Sequence, residues 1–294
     1  MKDVRAEGRA QAMPIHTGMG PIDWSRIIIG IKGAGEMATG VAIRLKRAGF
    51  SAIFMMETER PLAVRRTVSF CEAIYNGKSV VEGIESVRTQ DIDDIFDAWK
   101  KGKIAILADP SWAMLPRIRP TVVIDAIIAK RNLGTTLRDA PLVIGLGPGF
   151  TAEADVHRVI ETMRGHDLGR VIDKGSAKDN TGIPGSIDGH TVDRILRAPT
   201  TGTFHSERKI TDRIKAGDVI GNVAGREVVA KIDGVIRGLI REGTVVREHL
   251  KIGDIDPRGR EEYCFTVSDK SRAIGGAVLE AILGASGIWG GRGS

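Results

Sequence analysis

The sequence predicts an α/β protein: a parallel sheet flanked by helices, then a small all-β module, then a C-terminal helix. Three observations carry this prediction. From Arg26 to about residue 190, short apolar runs alternate with stretches of helical spacing, the pattern of a parallel sheet. Through 191–267, β-branched runs alternate with glycine and charged turns, and no helical period appears. Residues 268–284 restore helical spacing.

Taken in order, residues 1–25 have little apolar periodicity and read as a flexible tail. RIIIGIKG (26–33) is a continuous apolar run ending in glycine, as a strand buried on both faces does. EMATGVAIRLKRA (36–48) places Met37, Val41, Leu45 and Ala48 on one helical face, with Gly49 as the stop. AIFMME (52–57) is the second strand, and KIAILAD (103–109), PTVVIDAII (120–128), PLVIGLG (141–147) and GRVID (169–173) are further candidates. Helices are expected at 91–102 and at 152–165. The α/β region thus covers 26–190, the β module 191–267, and the closing segment 268–294 a helix capped by Ser268 or Asp269, then a Gly-rich end.

Within the β module, APTTG (198–202) matches AKIDG (230–234), and DRI (212–214) matches TVV (244–246) at the same offset of 32. Two copies are too few for a solenoid, so the repeat predicts two interlocked hairpin units. Paired A-x-x-x-G segments followed by I-K-A-G-D-V-I resemble the barrel-sandwich hybrid of biotinyl and lipoyl carriers. Those carriers place a lysine at the tip of the hairpin joining the halves, whereas VAGREVVAK puts Arg226 there and Lys231 in the next strand. The module therefore reads as unmodified, a docking or lid domain.

Composition narrows the functions. Hydrophobic residues at 42% and charged residues at 27% describe an ordinary globular chain. No apolar run reaches the roughly 18 residues of a membrane span, and no signal-peptide order opens the chain, so the cytoplasm is expected. The net charge of +6 is scattered and aromatics are only 4%, which argues against nucleic acid and fits a small anionic ligand. Cys71 and Cys264 lie far apart with no Cys/His cluster, so neither a disulfide scaffold nor a metal site is expected.

GAGEMATG (33–40) matches G-x-G-x-x-A between a strand and a helix. Gly33 permits the tight turn, Gly35 lets backbone approach a pyrophosphate, and Ala38 keeps the helix close to the sheet. Glu57 ends the next strand, where a ribose-binding carboxylate belongs, and Glu36 and Gly40 complete the candidate set. A Rossmann-like turn also needs small residues for packing alone, so a bound nucleotide and an empty turn both remain open. GLGPGF (145–150) offers Gly147, Gly149 and Thr151 as a second anion-friendly loop, with Thr151 expected to cap the following helix. Both loops should line one cleft, because strand ends of a parallel sheet share an edge. Asn180 and Thr181 of NTGIPG, and Asp109 at a strand end, extend the candidate site. RRTVSFCEAIY (65–75) adds Arg65, Arg66, Ser69 and Cys71. A thiol beside two arginines is a candidate nucleophile or soft ligand with a lowered pKa, though a lone Cys is more often a small buried residue in an amphipathic stretch.

Taken together, GAGEMATG, RRTVSFCEAIY, IDAIIAKRNLGTT, GLGPGFTAEADVH, ETMRGHDLGR, NTGIPG and the following RAP resemble the YqeB family, accessory proteins of selenium-dependent molybdenum hydroxylases. The resemblance spans about 26–285 and assigns no catalytic residue. It implies a maturation role: handling molybdenum cofactor (molybdopterin) or a related nucleotide, or assisting selenium insertion. The hydroxylase apoprotein and selenium-delivery proteins would be partners, and a homo-oligomer is compatible with it. On this reading the first loop takes the phosphate or nucleotide end, with Cys71, Arg65 and Arg66 toward the metal end. Two alternatives stand beside it: an NAD(P)-linked oxidoreductase with a β cap, and a non-catalytic scaffold between hydroxylase and selenium donor. The oxidoreductase lacks a Tyr–Lys pair, since neither Tyr75 nor Tyr263 has a lysine at helical spacing.

Overall fold

The computed structural model describes residues 26–182 and 185–285; the tail, the Gly-rich end and Ile183–Pro184 of NTGIPG lie outside the described residues. The chain has a mixed α/β fold built on a nine-stranded sheet. Its elements, in chain order, are β1 (Ile28–Lys32), α1 (Glu36–Arg47), β2 (Ala52–Glu57), α2 (Glu72–Asn76), β3 (Lys78–Val81), β4 (Ile84–Arg88), α3 (Ile92–Lys100), β5 (Ile104–Ala108), α4 (Leu115–Ile118), β6 (Val122–Asp125), β7 (Leu142–Leu146), and then β9 (Arg158–Ile160) and β10 (Val171–Ile172). A two-stranded ribbon of β8 (Thr151–Ala152) and β11 (Gly175–Ser176) stands beside the sheet.

The sheet order is β10-β9-β7-β6-β1-β2-β5-β4-β3, parallel throughout except at its two edges. From β1 the chain builds outward through β2, then returns to lay β6 on the other side. The strand order therefore reverses between β1 and β6, and the crevice at such a reversal is where α/β sheets bind ligands. Side-chain alternation sorts two cores: Ile53 and Met55 face one, Phe54 and Met56 the other. α1, α2 and α5 (Asp269–Gly284) cover the first face, and α3 and α4 the second.

Helix α5 docks along α1 because glycines allow it. A Cβ at Gly40 would stand 1.9 Å from Ser271 Oγ, and one at Gly275 would stand 2.9 Å from the Gly40 carbonyl. Ser271 Oγ donates to the Glu36 carbonyl at 3.1 Å, and Ser268 caps α5 by accepting from Ser271 N.

The β strands after residue 190 form two four-stranded antiparallel sheets, β12-β19-β17-β14 and β16-β15-β13-β18. Their strands are β12 (Ile195–Arg197), β13 (Gly202–His205), β14 (Arg213–Ile214), β15 (Val219–Val223), β16 (Arg226–Val229), β17 (Gly234–Leu239), β18 (Val245–Val246) and β19 (Lys251–Asp256). The offset of 32 seen in the sequence carries β12 to β16, β13 to β17, β14 to β18 and β15 to β19. Applied to all four pairs in both directions, this exchange converts one sheet into the other. The halves interlock, since β13 of one copy pairs with β18 of the other and β14 with β17. Phe204, Ile236, Ile252 and Ile255 fill the core between them. Ala224 and Gly225, both at positive φ, make the two-residue turn that leads to Arg226.

One predicted helix is absent. Residues 152–165 have helical spacing, but Glu153 lies at φ 72° and the amides of Ala154 and Asp155 both turn back to the Thr151 carbonyl. The Asp155 carboxylate takes the Thr151 amide at 2.9 Å, closing the turn, and β-branched Val159 and Ile160 then enter the sheet beside β7.

Candidate functional site

The parallel strands deliver their C-terminal ends to one edge. Lys32 and Gly33 arrive from β1, Glu57 from β2, Asp109 follows β5, Asp125 ends β6, Gly147 follows β7 and Glu161 follows β9. Both glycine loops leave this edge, from strands separated only by β6.

At the first loop, Gly33 holds φ 91° and its amide bonds the Met56 carbonyl at 2.7 Å. The next amide, of Ala34, donates to Glu57 Oε2 at 2.9 Å, so the carboxylate of β2 directly touches the glycine turn. Gly35 precedes α1 in extended conformation, and among the described residues no side chain caps the helix. A Cβ at Gly35 would meet nothing within 4 Å, leaving open space above the helix start. Ala38 is fully buried against the sheet. Gly40 serves the contact with α5 rather than a ligand, which corrects its place in the expected site.

The segment after β6 runs between the two loops. A Cβ at Gly33 would crowd the backbone of Ala126 and Ile127 at 3.2–3.3 Å, and one at Gly149 would stand 2.6 Å from the backbone of Arg131. Gly147 packs on Thr162 and Gly149 on this segment, so the second loop is shaped by close packing. Thr151 caps no helix: it lies in β8 opposite Ser176, with the two hydroxyls 2.9 Å apart. Asn180 and Thr181 are exposed, and Lys178 N donates to Glu161 Oε2 at 2.8 Å, which ties their segment to the end of β9.

The motif at 65–75 serves a different purpose from the one expected of it. Arg65 is buried, donating to Glu36 Oε1 at 2.7 Å and to the carbonyls of Tyr263 and Thr266 at 2.5 and 3.0 Å. Arg66 Nε donates to the Leu239 carbonyl at 2.8 Å, and Thr67 Oγ1 to the Cys264 carbonyl. Arg241 pairs with Glu72 at 2.5 Å and lies over the Tyr75 ring. Burial pushes the Glu72 carboxyl up, and the Arg241 and Arg66 charges pull it back. These contacts form the seam between the α/β part and the β module, and they take both arginines out of the metal end assigned to them. Ser69 is buried, its hydroxyl on the Arg65 carbonyl at 2.9 Å. Cys71 is 1% exposed, and burial, with Glu57 and Glu72 nearby, pushes its thiol well up. The lowered thiol expected from its arginine neighbours is not found, because their guanidinia point into the seam. Asp109 is a turn cap, accepting from the amides of Ala113 and Met114 at 2.9 and 2.8 Å.

The sequence reading missed the best-buried cation at the edge. Lys32, 1% exposed, donates to Thr135 Oγ1 at 2.8 Å and Asp139 Oδ2 at 2.6 Å, beside the Trp112 ring. Thr135 Oγ1 in turn donates to Asp125 Oδ2 at 2.6 Å. Burial raises the Asp125 carboxyl, and the Thr135 hydrogen bond partly offsets that. The signal available was a lysine ending an otherwise apolar strand just before the glycine motif. Its network fixes the segment after β6 against the switch point and thereby holds the backbone on which Gly33 rests.

No family model matches the chain. The uncharacterized protein YqeB of Escherichia coli (strain K12) is 47% identical over 256 residues, 87% of this chain and 47% of YqeB. The chain thus spans about half the length of the curated relative it matches. Among solved structures, TcdA (CsdL) is 12% identical with a TM-score of 0.31, covering 90% of this chain and 89% of that one. An aspartoacylase family protein from Mesorhizobium loti is 11% identical with a TM-score of 0.24, covering 72% and 58%. At these values the structural likeness carries no argument about function.

Proposed function

Because the chain belongs to the YqeB family, we propose that it binds molybdenum cofactor or a related nucleotide and hands it to a selenium-dependent molybdenum hydroxylase during maturation. The observation that carries this reading is the contact of Glu57 with the Ala34 amide, beneath the open space over Gly35. A carboxylate at the end of the second strand, a glycine turn and an uncapped helix start form one anion-and-ribose cradle at the reversal of strand order.

The cradle fits the phosphate or nucleotide end of such a ligand. Backbone amides at the start of α1 would face the phosphate, and Glu57 would accept hydroxyls. Among the described residues no group of three or more His, Cys, Asp and Glu side chains could hold a metal ion, so the chain's own ligands do not fit the metal end. The cofactor carries its metal on its own dithiolene, and the protein's part is to bind and orient the anionic end. Cys71 has no place in this step.

We read the β module as an unmodified barrel-sandwich hybrid that docks the hydroxylase or the selenium donor. Its sheets exchange under one offset, and its joining hairpin carries Arg226 and no lysine. The cytoplasm is the compartment this role requires; among the described residues no helix is long and apolar enough to cross a membrane.

The test is mass spectrometry of small molecules released from protein made in a host with active cofactor synthesis. Recovery of a pterin or pterin nucleotide supports the reading. Recovery of none, with tight nicotinamide binding and turnover in calorimetry and assay, replaces it with the oxidoreductase, because Glu57 would accept the ribose of NAD(P) equally well.

A further inference from the structure

A cleft of about 670 Å³ opens beside the ends of β2, β4 and β5, and none of its lining residues belongs to either glycine loop. Three arginines are among its lining residues, Arg60, Arg88 and Arg117. Arg88 uses one nitrogen on the Ile74 carbonyl at 2.9 Å. Neither Arg60 nor Arg117 makes an ion pair or a side-chain hydrogen bond among the described residues. The two carboxylates present do not balance them: Asp109 is held by the Ala113 and Met114 amides and Ser111 Oγ, which leaves exposed Glu59.

Arg60 and Arg117, exposed and without an ion pair among the described residues, leave the cleft a net positive mouth, and planar guanidinium forks match phosphate oxygens two at a time. The cleft lies within the usual size for small-molecule sites, about 300–1,000 Å³. Leu107 and Met114 supply an apolar wall for an organic part.

We infer that this cleft binds the phosphomonoester of a small organic molecule, its phosphate on Arg60 and Arg117 and its organic part against Leu107 and Met114. Such a group has two sources, a separate metabolite or the far end of a ligand anchored on the glycine loop. The second is within reach, since Ala108 in the cleft stands in register with Glu57, the residue that holds the Ala34 amide. The site itself does not depend on the cofactor reading.

Ribose 5-phosphate, AMP and inorganic phosphate are titrated into the full chain by calorimetry. Saturable binding of ribose 5-phosphate is expected, weaker at higher salt and at least tenfold weaker in Arg60→Ala/Arg117→Ala. Arg60→Lys/Arg117→Lys should keep part of it. Both arginines are exposed, so circular dichroism and melting should not change. Unchanged binding in the double alanine variant, or no saturable binding of any probe, overturns the proposal. Gly35→Asp separates the sources: ribose 5-phosphate binding that survives it marks a separate metabolite, and binding lost in both variants marks one ligand spanning both places. Loss in Gly35→Asp alone also overturns the assignment, while leaving the glycine-loop reading intact.

Discussion

Arg65 Nη1 lies 2.7 Å from Glu36 Oε1, and the same guanidinium holds the carbonyls of Tyr263 and Thr266. One side chain therefore joins the start of α1, the segment after β2 and the strand-to-helix connection behind the β module. The glycine loop and the β module are coupled through it: a displacement of the module would pull on the residue that follows Gly35.

Arg65→Ala removes that joint and leaves Glu36 unpaired, with the two carbonyls lacking their donor. Removing one partner of a buried pair costs about 3 kcal/mol or more. Chemical denaturation should show a loss of this size, and limited proteolysis should open the 257–268 connection before the sheet. Equal stability of the variant and the parent would show that the seam is held by other contacts.

Cys71 should resist thiol reagents. Burial raises its thiol above the ordinary range and the neighbouring Glu57 and Glu72 add to this, so raising pH through 8.5 should not produce a reactive thiolate in the folded state. Cys264 is buried as well, its thiol also pushed up. Labelling with a thiol-specific chromogenic reagent should stay near zero until denaturant unfolds the chain, then reach both cysteines. Fast labelling of one native thiol would reopen a chemical role for Cys71.

Much of the α/β part was legible because its signals are local. The alternation of Ile53 and Met55 against Phe54 and Met56, the glycine turn at Gly33 and the cap at Ser268 are written in adjacent residues. The offset of 32 in the β module was read from only two of its four strand pairs, although β15 and β19 also share an Ile-Gly step, Ile220-Gly221 against Ile252-Gly253. What stayed hidden depends on distance along the chain. Lys32 meets Thr135 and Asp139 across 103 and 107 residues, and Arg65 meets Tyr263 and Thr266 across 198 and 201. Arginines near a cysteine in sequence say nothing about where their guanidinia turn. The helix expected at 152–165 failed for a local reason: Asp155 has an alternative use, closing the turn at Thr151.

Gly40 tests the packing of α5 on α1. Gly40→Val places new atoms where Ser271 Oγ stands 1.9 Å away, and overpacking of this kind costs about 2 kcal/mol. The melting temperature should fall, and Gly40→Ala should fall less. Nucleotide binding per folded molecule should be unchanged, since the glycine serves the helix contact. A selective loss of binding at full stability would return Gly40 to the ligand site.

Gly35→Asp should act in the opposite sense. Gly35 has φ −72° and nothing within 4 Å of a Cβ, so any residue fits, and Asp is a preferred helix cap. Stability should hold or rise, while the new carboxylate sits where an anionic ligand must approach. Ligand retention should drop at least tenfold with an unchanged or raised melting temperature, a combination that misfolding cannot produce.

Asp269 sets an acid limit on the α5 docking. Arg164 grips its carboxylate at 2.5 and 2.8 Å, and this hydrogen-bonded pair pulls the carboxyl down to about 2. A folded-state value below the unfolded one, about 3.9, contributes stability that is complete above pH 4 and is lost as pH falls from 4 toward 2. The Asp269 side chain is 72% exposed, so water screens the pair and the contribution should be about 1 kcal/mol or less. Urea unfolding of the parent and of Asp269→Asn should therefore differ by a constant amount from pH 7 to 5. The difference should shrink below pH 4 and vanish only below pH 2, as the parent's carboxyl becomes neutral like the amide. A difference that persists undiminished from pH 4 to pH 2 would assign the effect to the helix start rather than to the ion pair.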